Sequence, residues 1–229
     1  MIAKKRRTGL TFAPEASEQK MRERLGKKID METLEKVAKE AFSSGWKRIK
    51  LYFMIGLPGE LQADLDGIIR IARRITSLKR EVGGKKASAT LSINNFIPKS
   101  HTPFQWLSME SRQNLESKQE YLRKSVHERR MKLDFQDINI SFLEAALSRG
   151  GNELCNIIYD SWKGGARFDC WSEHLKIEVW KESFLQAGME LDAYATRGFS
   201  FDDVLPWDFI DPGIPKSYLI EEAHKAAAY

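Results

Sequence analysis

The stretch IKLYFMIGLPGE, residues 49–60, decides how the chain is read. Leu51, Tyr52, Phe53, Met54 and Ile55 do not alternate with polar residues as a strand with one wet face would. Gly56-Leu57-Pro58-Gly59-Glu60 then ends the run abruptly. A short, unbroken apolar run bounded by a Gly/Pro turn predicts a central parallel strand covered on both faces. In α/β sheets and barrels, ligands collect at the carboxyl ends of such strands, so the GLPGE turn lies on the candidate binding edge.

Elements of the complementary kind flank this strand. GLTFAPEA (9–16) reads as a short strand ending at Pro14, and Ser17 is placed to cap a helix through EQKMRERL that stops near Gly26. Asp30 can cap the next helix, in which Leu34, Val37, Ala38, Ala41 and Phe42 recur at helical spacing on one face, with Gly45 as a stop. Beyond Glu60, the residues Leu61, Leu65, Ile68, Ile69, Ala72 and Ile75 form another amphipathic helix, closed by Gly83-Gly84. ASATLSINNFIP (87–98) is a third strand that again runs into a proline loop. Alternation of strand and helix over 9–97 predicts an α/β fold with a parallel sheet.

A long helix is expected from about 109 to 131, after the loop KSHTPFQW (99–106). From 133 onward the character changes: a brief strand near Leu133–Ile138, then helices near 141–149, 153–162 and 172–187 with Trp162, Trp171 and Trp180 expected to fill a core. The expected division is therefore an α/β part at 1–132 and a mainly helical part at 133–229. Three parallel strands leave two open sheet edges, which predicts completion by other residues or by a second copy.

Bulk composition bounds the function. The chain has 229 residues, enough for a sizeable core, and 30% of them are charged. No stretch approaches the roughly 18 consecutive apolar residues that span a bilayer. The start, MIAKKRRTG, is basic but has no apolar segment behind it, so no secretory signal is expected. Cys155 and Cys170 make no disulfide framework, and a cytoplasmic location follows as the expectation. Residues 1–60 hold 14 Lys/Arg against 8 Asp/Glu, although the whole chain is only +5. That basic quarter could attract phosphates, RNA or an anionic cofactor, or be a solvated helix face with a basic leader. Neither GxGxxG nor GxxxxGK[ST] is present, which argues against an ordinary phosphate-loop enzyme.

Three phrases taken together carry a resemblance. LTFAPEASEQKMRERLGKKI (10–29), IKLYFMIGLPGE (49–60) and LSINNFIPKSHTPFQW (91–106), in this order and spacing, resemble the second half of a radical S-adenosylmethionine (SAM) core. They are similar to strands four to six of its partial TIM barrel. With the tail LPWDFID (205–211), they resemble an uncharacterised bacterial group whose long members carry a cobalamin-binding-like domain before that core. The resemblance implies SAM and a 4Fe–4S cluster as cofactors, with cobalamin possible. It also implies a methyl- or methylthio-transfer type of reaction on an unknown substrate, RNA being possible. Such clusters sit on thiolates in a CxxxCxxC motif, which this chain lacks. It is therefore expected to contribute part of the SAM pocket, with the cluster-bearing half supplied as a partner, and to be inactive alone.

Residue by residue, the resemblance matches Glu15 and Ser17 to positions near the SAM ribose and methionyl part. Lys27 matches a basic position able to pair with the SAM carboxylate. Ile55 and Gly56 match the apolar residue and glycine beside adenine, and Phe96, Ile97 and Pro98 match the sixth-strand end at the adenine edge. His101 follows that end and could face substrate. No metal ligand is assigned. The plainer readings are that Glu15 caps a helix, Lys27 is surface charge, Ile55 is core, Glu60 favours the positive end of the next helix and His101 is a packed loop residue. Where the group usually has glycine, this chain has Ser17. The alternative function is a non-enzymatic RNA-binding or assembly module using the same fold.

Overall fold

The computed structural model describes residues 9–85 and 87–227. The basic leader at Lys4–Arg7 lies outside them. The chain divides into two compact units that do not follow a single cut. One contains the described residues up to Asn94 together with Glu116–Gln136, and the other contains Asn95–Leu115 with the residues from Asp137 onward.

The first unit is α/β. Four strands, β1 (Leu10–Glu15), β2 (Arg48–Ile55), β3 (Ser88–Asn95) and β4 (Met131–Phe135), form a parallel sheet in the order β1-β2-β3-β4. Helices α1 (Gln19–Arg24) and α2 (Met31–Ser43) connect β1 to β2, α3 (Gln62–Glu81) connects β2 to β3, and α4 (Arg112–Ser125) precedes β4. Each strand therefore lies beside its predecessor. Asp30 caps α2 as its sequence predicts, accepting from the Thr33 N–H at 2.7 Å. The apolar faces of α2 (Leu34, Ala38, Phe42) and α3 (Leu65, Ile68, Ala72, Ile75) are buried, as are Ile49, Leu51, Phe53 and Ile55 of β2.

Three expectations need correction here. β2 is not enclosed on both sides: Ile49, Leu51, Phe53 and Ile55 are buried, while Lys50, Tyr52 and Met54 are half-buried on the other face. That second face is polar across the sheet. Thr11 lies opposite Lys50, Thr90 opposite Lys132 and Ser92 opposite Asp134, and the Lys50 ammonium sits 3.6 Å from the Asp134 carboxylate. The sheet also has a fourth strand, because the segment at 131–135 pairs with Ala89–Ile93 instead of opening the helical part; the cut expected at 132 falls inside β4. Finally, Ser17 does not cap α1. Glu18 is the residue before that helix, and Ser17 faces α3 instead.

The second unit contains α5 (Ile138–Ser148), α6 (Leu154–Lys163), α7 (Ile177–Gln186), α8 (Leu191–Thr196) and α9 (Lys216–Ala227), with the loop 95–111 and the start of α4. Trp106, Leu205, Trp207 and Leu219 form one of its cores, backed by Phe199 and Phe201. Trp180 is buried as expected, but Trp162 and Trp171 are more than half exposed, so they do not fill a core. Fully buried Arg149 donates to the carbonyls of Gln105, Leu107 and Ala195 and lies over the Phe199 ring. Burial pulls its guanidinium down to about 10, so it stays charged at neutral pH.

Candidate functional site

The ends of β1 and β2 build the site. Pro14 has no N–H to give to the ladder, and the β1/β2 register shifts between Phe12 and Glu15. Glu15, opposite Phe53, is left with φ at +66°, a left-handed conformation that costs an L-residue roughly 1–2 kcal/mol. Such strain tends to persist where a side chain must be aimed. The Glu15 carboxylate is aimed at Lys27, whose Nζ lies 3.1 Å away. Both groups keep access to water, with side chains 21% and 40% exposed. Two residues that the sequence assigns to different parts of one ligand are thus each other's partner.

Arg22 positions that pair, and sequence reasoning passed it over. It is buried, and its guanidinium donates to the carbonyls of Ala16, Ser17 and Ile29 and to the Gln19 side chain. The turn after Glu15 and the segment after Lys27 are therefore tied to one cation. Burial lowers its pKa below the ordinary arginine value. The signal available in MRERLGKK was only one arginine among several basic residues, and nothing in helical spacing distinguishes it. Ser17 is buried and donates from Oγ to the Asp64 carbonyl at 2.7 Å, so it anchors the turn to α3.

Gly56 ends β2 with φ at +78°, a conformation glycine adopts without cost. Its N–H donates to Glu60 Oε2 at 2.9 Å, and Lys118 Nζ reaches the same oxygen at 2.7 Å. Glu60 is only 2% exposed at its side chain, so it closes its own turn rather than acting through the following helix's dipole. Burial pushes the Glu60 carboxyl above the usual range, against the pull of Lys118 and the Gly56 N–H. Arg24 of α1 donates to the Pro58 carbonyl at 3.2 Å, linking the β1 side of the site to the GLPGE turn. Ile55 is completely enclosed and shapes this end from beneath without offering surface.

Glu15, Ser17, Lys27 and Gly56 are thus gathered in the sheet unit. Phe96, Ile97 and Pro98 follow β3 in the chain but belong to the second unit. There they are buried, and Phe96 meets Phe104 edge-on at 5.5 Å. His101 also has positive φ, and its N–H donates to Gln105 Oε1, which accepts from Trp207 Nε1 as well. The HTPFQW and LPWD phrases are therefore bonded to each other. His101 Nε2 is buried without a hydrogen-bond partner, beside a concavity of about 450 Å³ that includes Asp208, Asp211 and Lys216.

Among the described residues, no cluster of three or more His, Cys, Asp or Glu could hold a metal ion. Cys155 and Cys170 are exposed and unpaired. No described helix is long and apolar enough to cross a membrane.

Comparison with known proteins gives a distant relative. An uncharacterized protein of Methanocaldococcus jannaschii, MJ0966, is 28% identical over 145 residues, which is 63% of this chain. The match spans 31% of that protein's length. No family model matches the chain, and no solved structure matches it.

Proposed function

We propose that this chain supplies one wall of the SAM pocket of a radical SAM enzyme, its four strands being a half of a TIM-type barrel. The observation that carries the reading is Glu15. It is a strained carboxylate, aimed at Lys27, at the carboxyl end of β1 and opposite Phe53 of β2. The strand order supports it too, since strands laid down consecutively with helical crossovers are how a βα barrel grows. So does the polar face of Lys50, Tyr52, Thr90, Ser92 and Asp134, of which only Ser92 is buried and which suits an inner wall better than a packed sheet surface.

The residues present fit part of SAM. Glu15 can accept from a ribose diol and Lys27 can pair with an α-carboxylate, both through water-accessible atoms of an existing ion pair. Gly56 is buried with its N–H taken by Glu60, so its part is to shape the β2 end beneath the base and not to touch it. SAM bound at a reduced cluster would supply a 5′-deoxyadenosyl radical; this chain's share is to hold and orient the cofactor. The cluster itself does not fit these residues: two exposed cysteines in the second unit are too few thiolates. Methyl or methylthio transfer, and any use of cobalamin, are carried by the resemblance.

Calorimetric titration of the full chain with SAM and with S-adenosylhomocysteine tests the proposal. Glu15→Gln and Lys27→Ala should each weaken binding about tenfold or more, since a charge-assisted hydrogen bond contributes roughly 1.5–3 kcal/mol. Absence of binding by the unmodified chain, or an affinity in both variants equal to that of the unmodified chain, would overturn it.

A further inference from the structure

The opposite end of the same sheet carries a concavity of about 470 Å³ lined by Lys47, Arg48, Lys79, Lys85 and Arg130, with Gly84 and Ser88. No carboxylate is among these described lining residues. Arg48 opens β2, Ser88 opens β3 and Arg130 directly precedes β4, so three neighbouring strand starts deliver residues to one place. Lys79 comes from the last turn of α3, and Lys85 from the loop that follows, which turns on Gly83 and Gly84 at φ of +107° and +102°. Eight residues of β2 separate this end from Gly56, about 26 Å at the ordinary rise of a strand.

A helix C-terminus accounts for one cation here, Lys79, but not for five. Three acids of the surrounding elements are engaged elsewhere. Glu81 pairs with Lys39 and Arg74, Glu128 with Arg73, and Asp134 with Lys50. Like charges lining a concave surface repel one another and focus a positive potential into it, which an incoming anion relieves. Lys47, Arg48 and Lys85 are exposed, and the five cations come from three chain segments, 47–48, 79–85 and 130, around an open rim. Cations spread over three segments do not converge on one point as a single-phosphate site requires. That layout suits successive phosphates of a flexible strand.

We propose that this concavity binds the phosphodiester backbone of a single-stranded nucleic acid. The assignment does not rest on the SAM reading, whose residues lie at the other end of β2. Binding is therefore backbone-directed and sequence-tolerant, and it weakens steeply with salt as counterions are released.

The test is fluorescence anisotropy of a labelled oligouridylate with the full chain over a series of salt concentrations. In the variant carrying Lys47→Gln, Arg48→Gln, Lys79→Gln and Lys85→Gln, the slope of log K against log salt should fall by about 0.7 for each phosphate that is no longer neutralised. Arg48→Gln alone should remove about 0.7. A control with the same reduction in charge elsewhere, Arg70→Gln, Lys124→Gln, Lys181→Gln and Lys225→Gln, should keep the original slope, and far-ultraviolet circular dichroism should be the same for all. Failure of the unmodified chain to bind at low salt, an unchanged slope in the four-site variant, or an equal drop in the control would each overturn the proposal. Inorganic tripolyphosphate should compete only weakly. Competition at concentrations matching the oligonucleotide's own affinity would make this a small-phosphate site instead and would overturn the assignment to a strand.

Discussion

Glu60 shows how one buried carboxylate can hold a candidate site without touching a ligand. Its oxygen satisfies the Gly56 N–H, keeping the β2 end in its positive-φ turn, and meets Lys118 from α4. Water is excluded from it, so the ionised form is held by these two partners against a desolvation cost that raises its pKa. The sign of the pH effect follows. As pH rises past the ordinary glutamate value of about 4.3, the unfolded chain releases this proton before the folded chain does. The folded state then binds the extra proton, and stability falls with rising pH until the folded-state pKa is passed. Glu60→Gln cannot ionise and loses that slope. Urea denaturation of both proteins across the acidic range should therefore show the wild type losing stability relative to Glu60→Gln as pH rises through that window. A flat difference would mean the side chain is solvated in the folded state, and one in the opposite sense would mean that Lys118 and the Gly56 N–H outweigh its burial.

At the scale of elements, the seat of α3 against the β1 turn depends on a missing side chain. A Cβ at Gly67 would lie 2.3 Å from Ser17 Oγ and 2.6 Å from Ser17 Cβ, closer than atoms can pack. Alanine in a helix interior is ordinarily better than glycine by about 1 kcal/mol. Here Gly67→Ala should instead destabilise by roughly 1–3 kcal/mol through overpacking. In a Ser17→Gly background both clashing atoms are gone, so the same substitution should become neutral or stabilising. Thermal unfolding of the two single variants and the double variant checks this, and an additive result would show that the two positions do not meet. The amphipathic faces of α2 and α3 and the cap at Asp30 were legible because helical period and capping chemistry are local. The fourth strand was not, although MKLDF and SATLSINN both alternate in the way that marks a sheet with one polar face. The unbroken apolar run of β2 masked that face, since only Lys50 betrays it within 49–55. Glu15 and Lys27 were legible as chemistry but not as a pair: their meeting depends on the irregular end of β1 and on Arg22 gathering three carbonyls, neither of which has a sequence period.

At the scale of the whole molecule, the chain leaves the sheet unit after Asn94, returns to it within α4 at Glu116, and leaves again after Gln136. The segment 95–115 is thus an internal part of the second unit although β4 follows it in sequence. What it contributes is central. Trp106 belongs to the core of Leu205, Trp207 and Leu219, and the Gln105 side chain accepts from the Trp207 indole. The carbonyls of Gln105 and Leu107 receive the buried Arg149 guanidinium, and the Phe199 N–H donates to the Trp106 carbonyl. Without 95–115, Arg149 would keep only the Ala195 carbonyl among these acceptors, and a buried cation deprived of partners is among the more costly defects a core can carry. A polypeptide of residues 133–229 should accordingly fail to form its tertiary core. Its helices should give far-ultraviolet signal with weak amide dispersion in NMR and no cooperative thermal transition. Adding a peptide of residues 95–115 in trans should restore part of the dispersion, and the same peptide with Gln105→Ala and Trp106→Ala should not. Cooperative unfolding of 133–229 alone would show that the helices from α5 to α9 hold together without the loop that now runs through their core.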